Sequence, residues 1–245
     1  MELFDDFFEY GRGLHFLTRY SHVLFGITWI GLLYFFNFVQ VPAYAEMEAQ
    51  ARSEALRKLT VRALWWFRWA AALTMLSGLL MWAIAGGDYS ADTSLGLSIT
   101  FGSILGLTMG ANVWMVIWPK QKINIASAQR VADGGEPDPE AAGAAKLSGR
   151  ASRVNTFFSI PMAFFMVFTS HFAPAFGDVG GEAVITWIIF LVIWIFAEAS
   201  ALGYIGGLDS AFNKLVFDNH IRTIEAGLIA TAILYFIGWE LVLGS

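Results

Sequence analysis

Two histidines in apolar segments are the residues of this chain best suited to chemistry. His22 lies in the apolar run 21–31, and His171 lies near the end of another apolar segment. An ionisable side chain at membrane depth is costly, so its presence favours a functional site. Neutral imidazole is a common axial ligand of haem iron, and two imidazoles on packed helices can hold one haem between them.

The elements that must position these histidines are membrane spans. Of the 245 residues, 57% are hydrophobic and 14% are charged, whereas soluble domains usually carry about 25% charged residues. A spanning helix needs about 20 mostly apolar residues, and six segments meet this condition. We predict an all-α bundle of six transmembrane helices in a single integral membrane domain over residues 1–245. The predicted spans are 14–40, 64–86, 95–118, 155–176, 183–207 and 221–243.

Composition excludes several classes of protein. The chain has no cysteine, which excludes disulfides, iron–sulfur clusters, cysteine-ligated zinc and covalently attached c-type haem. The net charge of −5 gives no indication of nucleic-acid binding. No histidine has another at i+3 or i+4, so the spacing does not favour a zinc or copper site. The acidic residues 1–6 do not look like a cleaved signal peptide.

Charge asymmetry predicts the orientation of the bundle. The short connections 87–94 and 177–182 contain acidic residues and no basic residue. The positive-inside rule therefore puts the long connections 41–63 and 119–154 in the cytoplasm and both termini outside. Within the second long connection, residues 133–139 are expected to be flexible and solvated. The long connections carry Arg52, Arg57, Lys58, Arg62, Lys120, Lys122, Arg130, Lys146, Arg150 and Arg153.

This topology limits how the histidines can pair. His15 starts the first span, and His22 lies roughly 10–12 Å deeper at 1.5 Å per residue. His171 is also in the outer half, so we prefer the pair His22–His171, with His15–His171 as the competing pair. His15, Arg19 and His22 share one helix face, and Arg19 is placed to bind a haem propionate. His220 lies on the cytoplasmic side, so at most one bis-histidine haem b is expected.

The alternative for each of these histidines is purely structural. A membrane histidine often does no more than form a hydrogen bond to a neighbouring helix. His15 alone is consistent with an interfacial residue, and His220 alone is consistent with the first residue of a helix.

A second polar set is expected in the inner half of the bundle. Arg68, Glu198 and Glu225 all fall there, with Asn37 and Asn112 near the same level. An unpaired charge at this depth is expensive, so we expect Arg68 to meet a carboxylate. The set is interpreted either as an ion pair that fixes helix register or as a proton route with Glu198 as its protonatable member.

Prolines and glycines give further expectations about the helices. Pro42, Pro119 and Pro174 lie at or just beyond the predicted span ends, where proline stops a helix. Pro161 lies inside the fourth span and is expected to kink it. Gly102, Gly106 and Gly110 repeat every four residues, a spacing that allows close helix packing.

Four stretches of the chain resemble the membrane domain of the bacterial urate hydroxylase family, also described as urate oxidase N-terminal. They are residues 22–31, residues 66–69 with 76–78, residues 112–119, and residues 155–172 with their asparagine, proline and histidine. The resemblance implies a multi-pass oxidoreductase of the bacterial inner membrane, surrounded by membrane lipid. Family members resemble urate-oxidising enzymes that pass electrons to a fused periplasmic cytochrome c domain.

The residues and the resemblance together predict a membrane electron-transfer protein. It would hold one haem b between His22 and His171 and pass electrons to a separate external cytochrome c, since this chain has no cysteine to attach its own. The sequence does not identify catalytic residues. The rival hypothesis is a non-catalytic subunit of a larger membrane complex, with or without a haem. A small-molecule transporter is less consistent, because no pair of broken helices in corresponding repeats supports it.

Overall fold

The structure is a computed structural model that describes residues 12–90 and 92–244. Six of its helices are long and apolar enough to cross a membrane. The chain is therefore a multi-pass, all-α membrane protein, as predicted. The helices are α1 (Gly13–Glu46), α2 (Ala49–Ala85), α3 (Ser94–Ala132), α4 (Ala141–His171), α5 (Ala183–Ala201) and α7 (His220–Leu243), with the short α6 (Ala211–Val216) before α7.

Consecutive long helices run antiparallel and bury their apolar faces against one another. The main pairs of consecutive helices are α1 with α2 and α3 with α4, and α4 also packs against α7, which is not consecutive with it. Aromatic packing joins α5 to α3, since Phe101 of α3 stacks on Phe190 of α5 with ring centroids 3.9 Å apart. We call the end with connections 86–93 and 172–182 the acidic end. The opposite end, with connections 47–48, 133–140 and 202–219, is called the basic end, because the helical segments next to these connections carry most of the lysines and arginines.

Several helices extend further than the sequence predicts. The predicted connections 41–63 and 119–154 are mostly helical, because α1 runs to Glu46, α3 to Ala132, and α4 starts at Ala141. Many of the basic residues therefore lie on helical extensions of the spans. The break 133–140 is non-helical, as expected. In the fifth span the prediction overshoots, since α5 ends at Ala201 and is followed by three glycines with positive φ, at Gly203, Gly206 and Gly207.

The expectation that Pro42 and Pro119 stop their helices is wrong. Each proline follows a π-helical turn, Phe35–Gln40 in α1 and Asn112–Ile117 in α3, and stands in the first turn of the next α-helical stretch. A proline tolerates that position because its missing N–H would have no regular α-helical partner there. The helices therefore continue beyond both prolines.

Pro161 lies inside α4, which remains one helix from Ala141 to His171. A proline removes the hydrogen bond to the carbonyl four residues earlier, here that of Phe157. Helix α7 passes this point at Gly227, where a Cβ would lie 3.0 Å from the Phe157 carbonyl oxygen and 2.7 Å from Ile160 Cδ1. Close contact between α4 and α7 therefore depends on this glycine.

The glycine repeat of α3 packs against neighbouring helices, as its spacing predicts. A Cβ at Gly102 would lie within 3.3 Å of a methionine side chain of α4, and a Cβ at Gly110 would collide with one on α2. Glycine at these positions therefore lets α3 approach both neighbours closely. The contacts are Gly102 with Met166, Gly106 with Met162, and Gly110 with Met75.

Candidate functional site

The imidazole of His22 is held between α1 and α2. Its Nδ1 lies 2.9 Å from the carbonyl oxygen of Thr74 and 3.3 Å from the hydroxyl of Ser77. Because a carbonyl can only accept a hydrogen bond, Nδ1 must carry the hydrogen and donate it. The other ring nitrogen, Nε2, is then left with a lone pair.

Gly78 makes room for this ring. A Cβ at Gly78 would lie 3.0 Å from Cε1 of His22 and 3.3 Å from its Nδ1. The Ser77 hydroxyl donates within its own helix, to the carbonyl of Leu73 at 2.7 Å, so its oxygen is free to accept from His22. Sequence reasoning missed this role of Ser77 and Gly78. The available signal was the pair of small residues at 77–78, which stands among the stretches that carry the family resemblance.

His171 is the last residue of α4 and is exposed at the acidic end. Its Nδ1 lies 3.0 Å from the carbonyl oxygen of Val167, one turn earlier in the same helix. The argument used for His22 applies here too, so Nδ1 donates and Nε2 keeps a lone pair. Both histidines therefore present the same ring nitrogen for a further interaction.

Contacts between α1 and α4 give the relative levels of the two histidines. Tyr34 and Ser159 are hydrogen-bonded at 2.9 Å, and His22 and His171 each lie 12 residues from them toward the acidic end. In a second contact, Asn37 donates to Ser152 at 2.8 Å. His22 lies 15 residues from Asn37, and His171 lies 19 residues from Ser152. At 1.5 Å per residue the levels of the two histidines differ by about 0–6 Å. By this register the level of His171 lies between those of His15 and His22, so the levels do not distinguish the two pairings that the sequence left open.

The other residues of the predicted outer site differ in exposure. His15 and His22 are half-buried, whereas Arg19, on the same helix face, is exposed. Only part of this face is therefore covered by the bundle. At the basic end, His220 is the first residue of α7, and its ring lies 5.7 Å from that of Phe38. Over residues 12–90 and 92–244, no group of three or more His, Cys, Asp and Glu side chains is arranged to hold a metal ion.

The structure does not bring Arg68, Glu198 and Glu225 together. The Arg68 guanidinium lies over the ring of Trp118 at 3.9 Å and forms no ion pair with a carboxylate of the described residues. Glu225 is exposed and pairs with Arg222 at 3.1 Å on its own helix. The expected meeting of Arg68 with a carboxylate is therefore wrong, because an indole face takes the place of the anion.

Glu198 belongs to a separate network of amides. Asn112 Nδ2 donates to Glu198 Oε2 at 3.1 Å and to Asn155 Oδ1 at 2.9 Å. Asn155 in turn donates to the carbonyl of Met109 at 2.9 Å. The network joins α3, α4 and α5 in the interior of the bundle, and Asn112 holds the other two side chains together.

Replacing Asn112 with leucine should destabilise the protein by about 1–3 kcal/mol, because Asn155 Oδ1 and the Glu198 carboxyl would both lose their donor. Chemical unfolding in detergent micelles measures this difference in free energy. The matched control is Asn124→Leu on the same helix, since the Asn124 side chain has no hydrogen bond of its own in the described structure. Equal stability of the two variants would refute the bridging role.

Comparison with known proteins locates the resemblance on the chain. Residues 90–202 match the family described as urate oxidase N-terminal. This segment includes the stretches 112–119 and 155–172, and so contains His171, Asn112, Asn155 and the whole of α3, α4 and α5. The chain thus contains a segment similar to this family, as the sequence predicted, whereas the stretches 22–31 and 66–78 lie outside the match. No curated protein and no solved structure shows a significant match to the chain.

Proposed function

We propose that this protein is a membrane haem b oxidoreductase or electron-transfer protein resembling urate hydroxylase, in which His22 and His171 would hold the haem. The observation that carries the proposal is the hydrogen bonding of the two imidazoles. In both histidines Nδ1 donates to a backbone carbonyl. Metal-ligating histidines almost always donate their second ring N–H to such a partner, which fixes the tautomer and makes the ligating nitrogen more basic.

The chain's own residues have distinct roles in this proposal. Thr74 and Ser77 orient His22 from α2, and Gly78 keeps space for its ring. Arg19 is exposed on the same helix and is suited to pair with a propionate. When bound, a haem b with two imidazole ligands supplies one-electron transfer and leaves no open coordination position.

The protein is proposed to lie in a bacterial inner membrane, with the basic end of the bundle in the cytoplasm. Its proposed electron acceptor is an external cytochrome c. Residues 86–93 and 177–182, at the acidic end, include Asp88, Asp92, Asp178 and Glu182 and no lysine or arginine. Complementary charge speeds the encounter of two redox partners, so this end suits a basic acceptor. His171 is exposed at the same end.

The reaction is tested with purified protein, urate and oxidised cytochrome c. The expected result is urate-dependent reduction of cytochrome c by the wild-type protein and its loss in His22→Ala. A sample that contains haem, co-purifies with other subunits and shows no urate-dependent reduction would contradict the enzyme proposal. It would favour the non-catalytic subunit instead.

Glu198 is proposed as the protonatable group of the inner half. Replacing it with glutamine keeps the size of the side chain and its capacity to accept from Asn112, but removes its ability to carry a proton. Turnover and proton uptake are expected to fall on the order of 100-fold. Glu225→Gln, on the exposed face of α7, serves as the control and should leave both rates unchanged. Wild-type rates in Glu198→Gln would restrict this carboxyl to a structural role.

A further inference from the structure

A cavity of about 440 Å³ opens at the basic end between α1, α2, α3, α4 and the connection that precedes α7. It is separate from the histidine site, which lies toward the acidic end. Its walls combine aromatic rings with amide, hydroxyl and charged side chains. Ligand pockets of small molecules commonly have volumes of about 300–1,000 Å³ and this mixture of apolar walls with a few polar groups.

The charges that line the cavity do not cancel. Lys146 pairs with Asp209 at 2.5 Å, and Arg150 pairs with Asp218 at 2.5 Å. Arg153 has no carboxylate partner among the described residues. One positive charge is therefore left over in the cavity wall.

Arg153 is almost completely buried, with 8% of the residue exposed. Its hydrogen bond in the structure goes to the carbonyl oxygen of Asn37 at 3.3 Å. A guanidinium offers five N–H donors, so most of them have no partner here. Buried cations are normally paired, and planar oxyanions match the geometry of this group.

A buried acceptor in the same wall also has no partner. The Gln121 side chain donates from Nε2 to the Ser148 hydroxyl at 3.1 Å. That hydroxyl gives its own hydrogen to the carbonyl of Ala145 at 3.0 Å, which fixes the orientation of the Gln121 amide. The Gln121 Oε1 atom is buried and accepts no hydrogen bond. The wall of the cavity thus contains an amide close to the unpaired cation.

The backbone around the cavity is irregular. The π-helical turns Phe35–Gln40, Leu56–Thr60 and Asn112–Ile117 belong to three different helices, and each contributes residues to the cavity wall. π-Helical turns inside α-helices are frequent at functional sites. They occur here on three of the helices that surround the cavity.

We infer that this cavity is a binding site for an oxyanion, with Arg153 binding the anionic group. A phosphate group matches the geometry of the guanidinium donors. It can come from the headgroup of an anionic lipid at the membrane surface or from a soluble phosphate ester. The inference does not depend on the haem proposal, because it uses no residue of the histidine site.

The two sources are separated with a matched pair of probes. Glycerol phosphate is the soluble probe, measured by equilibrium binding to the protein in nanodiscs of uncharged phosphatidylcholine. Phosphatidylglycerol is the lipid probe, measured by native mass spectrometry of the detergent-solubilised protein. We expect one bound molecule per chain in at least one arm. Saturable binding of glycerol phosphate identifies a soluble ligand, and retention of phosphatidylglycerol alone identifies a lipid.

Variants assign the binding to this cavity. Arg153→Gln should weaken binding about tenfold or more, and Arg153→Lys should recover part of the affinity. Gln121→Met keeps the charge of the cavity and removes an amide from its wall, so it remains informative if Arg153→Gln fails to fold. Arg130→Gln is the control, because this exposed arginine pairs with Asp138 outside the cavity. Absence of binding in both arms, or wild-type affinity in Arg153→Gln and Gln121→Met, would overturn the inference.

Discussion

Replacing His22 with alanine is expected to remove the b-type haem from the purified protein. The ring of His22 is fixed by Thr74 and Ser77, so no neighbouring side chain can take over its position without rebuilding that contact. His171→Ala should have the same effect, because a haem held by two axial ligands loses its low-spin ligation when either is removed. Haem content and the reduced-minus-oxidised spectrum measure both results.

Two further histidine variants make this experiment decisive. His220→Ala is the control, since His220 lies at the basic end beside Phe38 and should leave the spectrum unchanged. His15→Ala distinguishes the two pairings. Loss of haem in His15→Ala with full retention in His22→Ala would transfer the ligand role to His15. Full retention in both His22→Ala and His171→Ala would overturn the assigned site.

A large effect on stability is expected at Gly227. An alanine Cβ there would lie 2.7 Å from Ile160 Cδ1 and 3.0 Å from the carbonyl oxygen of Phe157. The isoleucine tip can move, but the carbonyl belongs to the backbone of α4 and cannot yield without shifting one helix against the other. We expect Gly227→Ala to destabilise the protein by about 1–3 kcal/mol, measured by unfolding in detergent.

Gly31→Ala provides the matched control for this substitution. Gly31 also lies inside a long helix, yet a Cβ there would meet no atom within 4 Å. Its variant should unfold close to the wild type. If Gly227→Ala were as stable as Gly31→Ala, the close packing of α7 on α4 near Pro161 would not depend on Gly227.

The sequence predicts the number of spans because each contains a long apolar run that length alone can identify. It does not predict the true ends of α1 and α3, since proline statistics assume regular α-helix and both helices pass through π-helical turns. A π-helical turn has no strong local sequence signal. Its position depends on how the helices pack against one another.

The sequence predicts the candidate residues but not the side chains and carbonyls that they contact. The histidines stand out as ionisable side chains in apolar runs, but the contact of His22 with Thr74 depends on how α1 rotates against α2. Burial cost alone correctly predicts that Arg68 needs a partner. It cannot distinguish a carboxylate from the indole of Trp118, which the fold supplies. The sequence does not predict the cavity beside Arg153, because its residues come from several separate helices.

Electron paramagnetic resonance of the oxidised, purified protein, with its haem quantified per chain, tests the central claim most directly. The proposal that His22 and His171 share one haem b predicts a low-spin ferric signal typical of two imidazole ligands, at one haem per chain. Protein that is folded and free of haem would contradict the account. So would a high-spin signal from haem with an open coordination position.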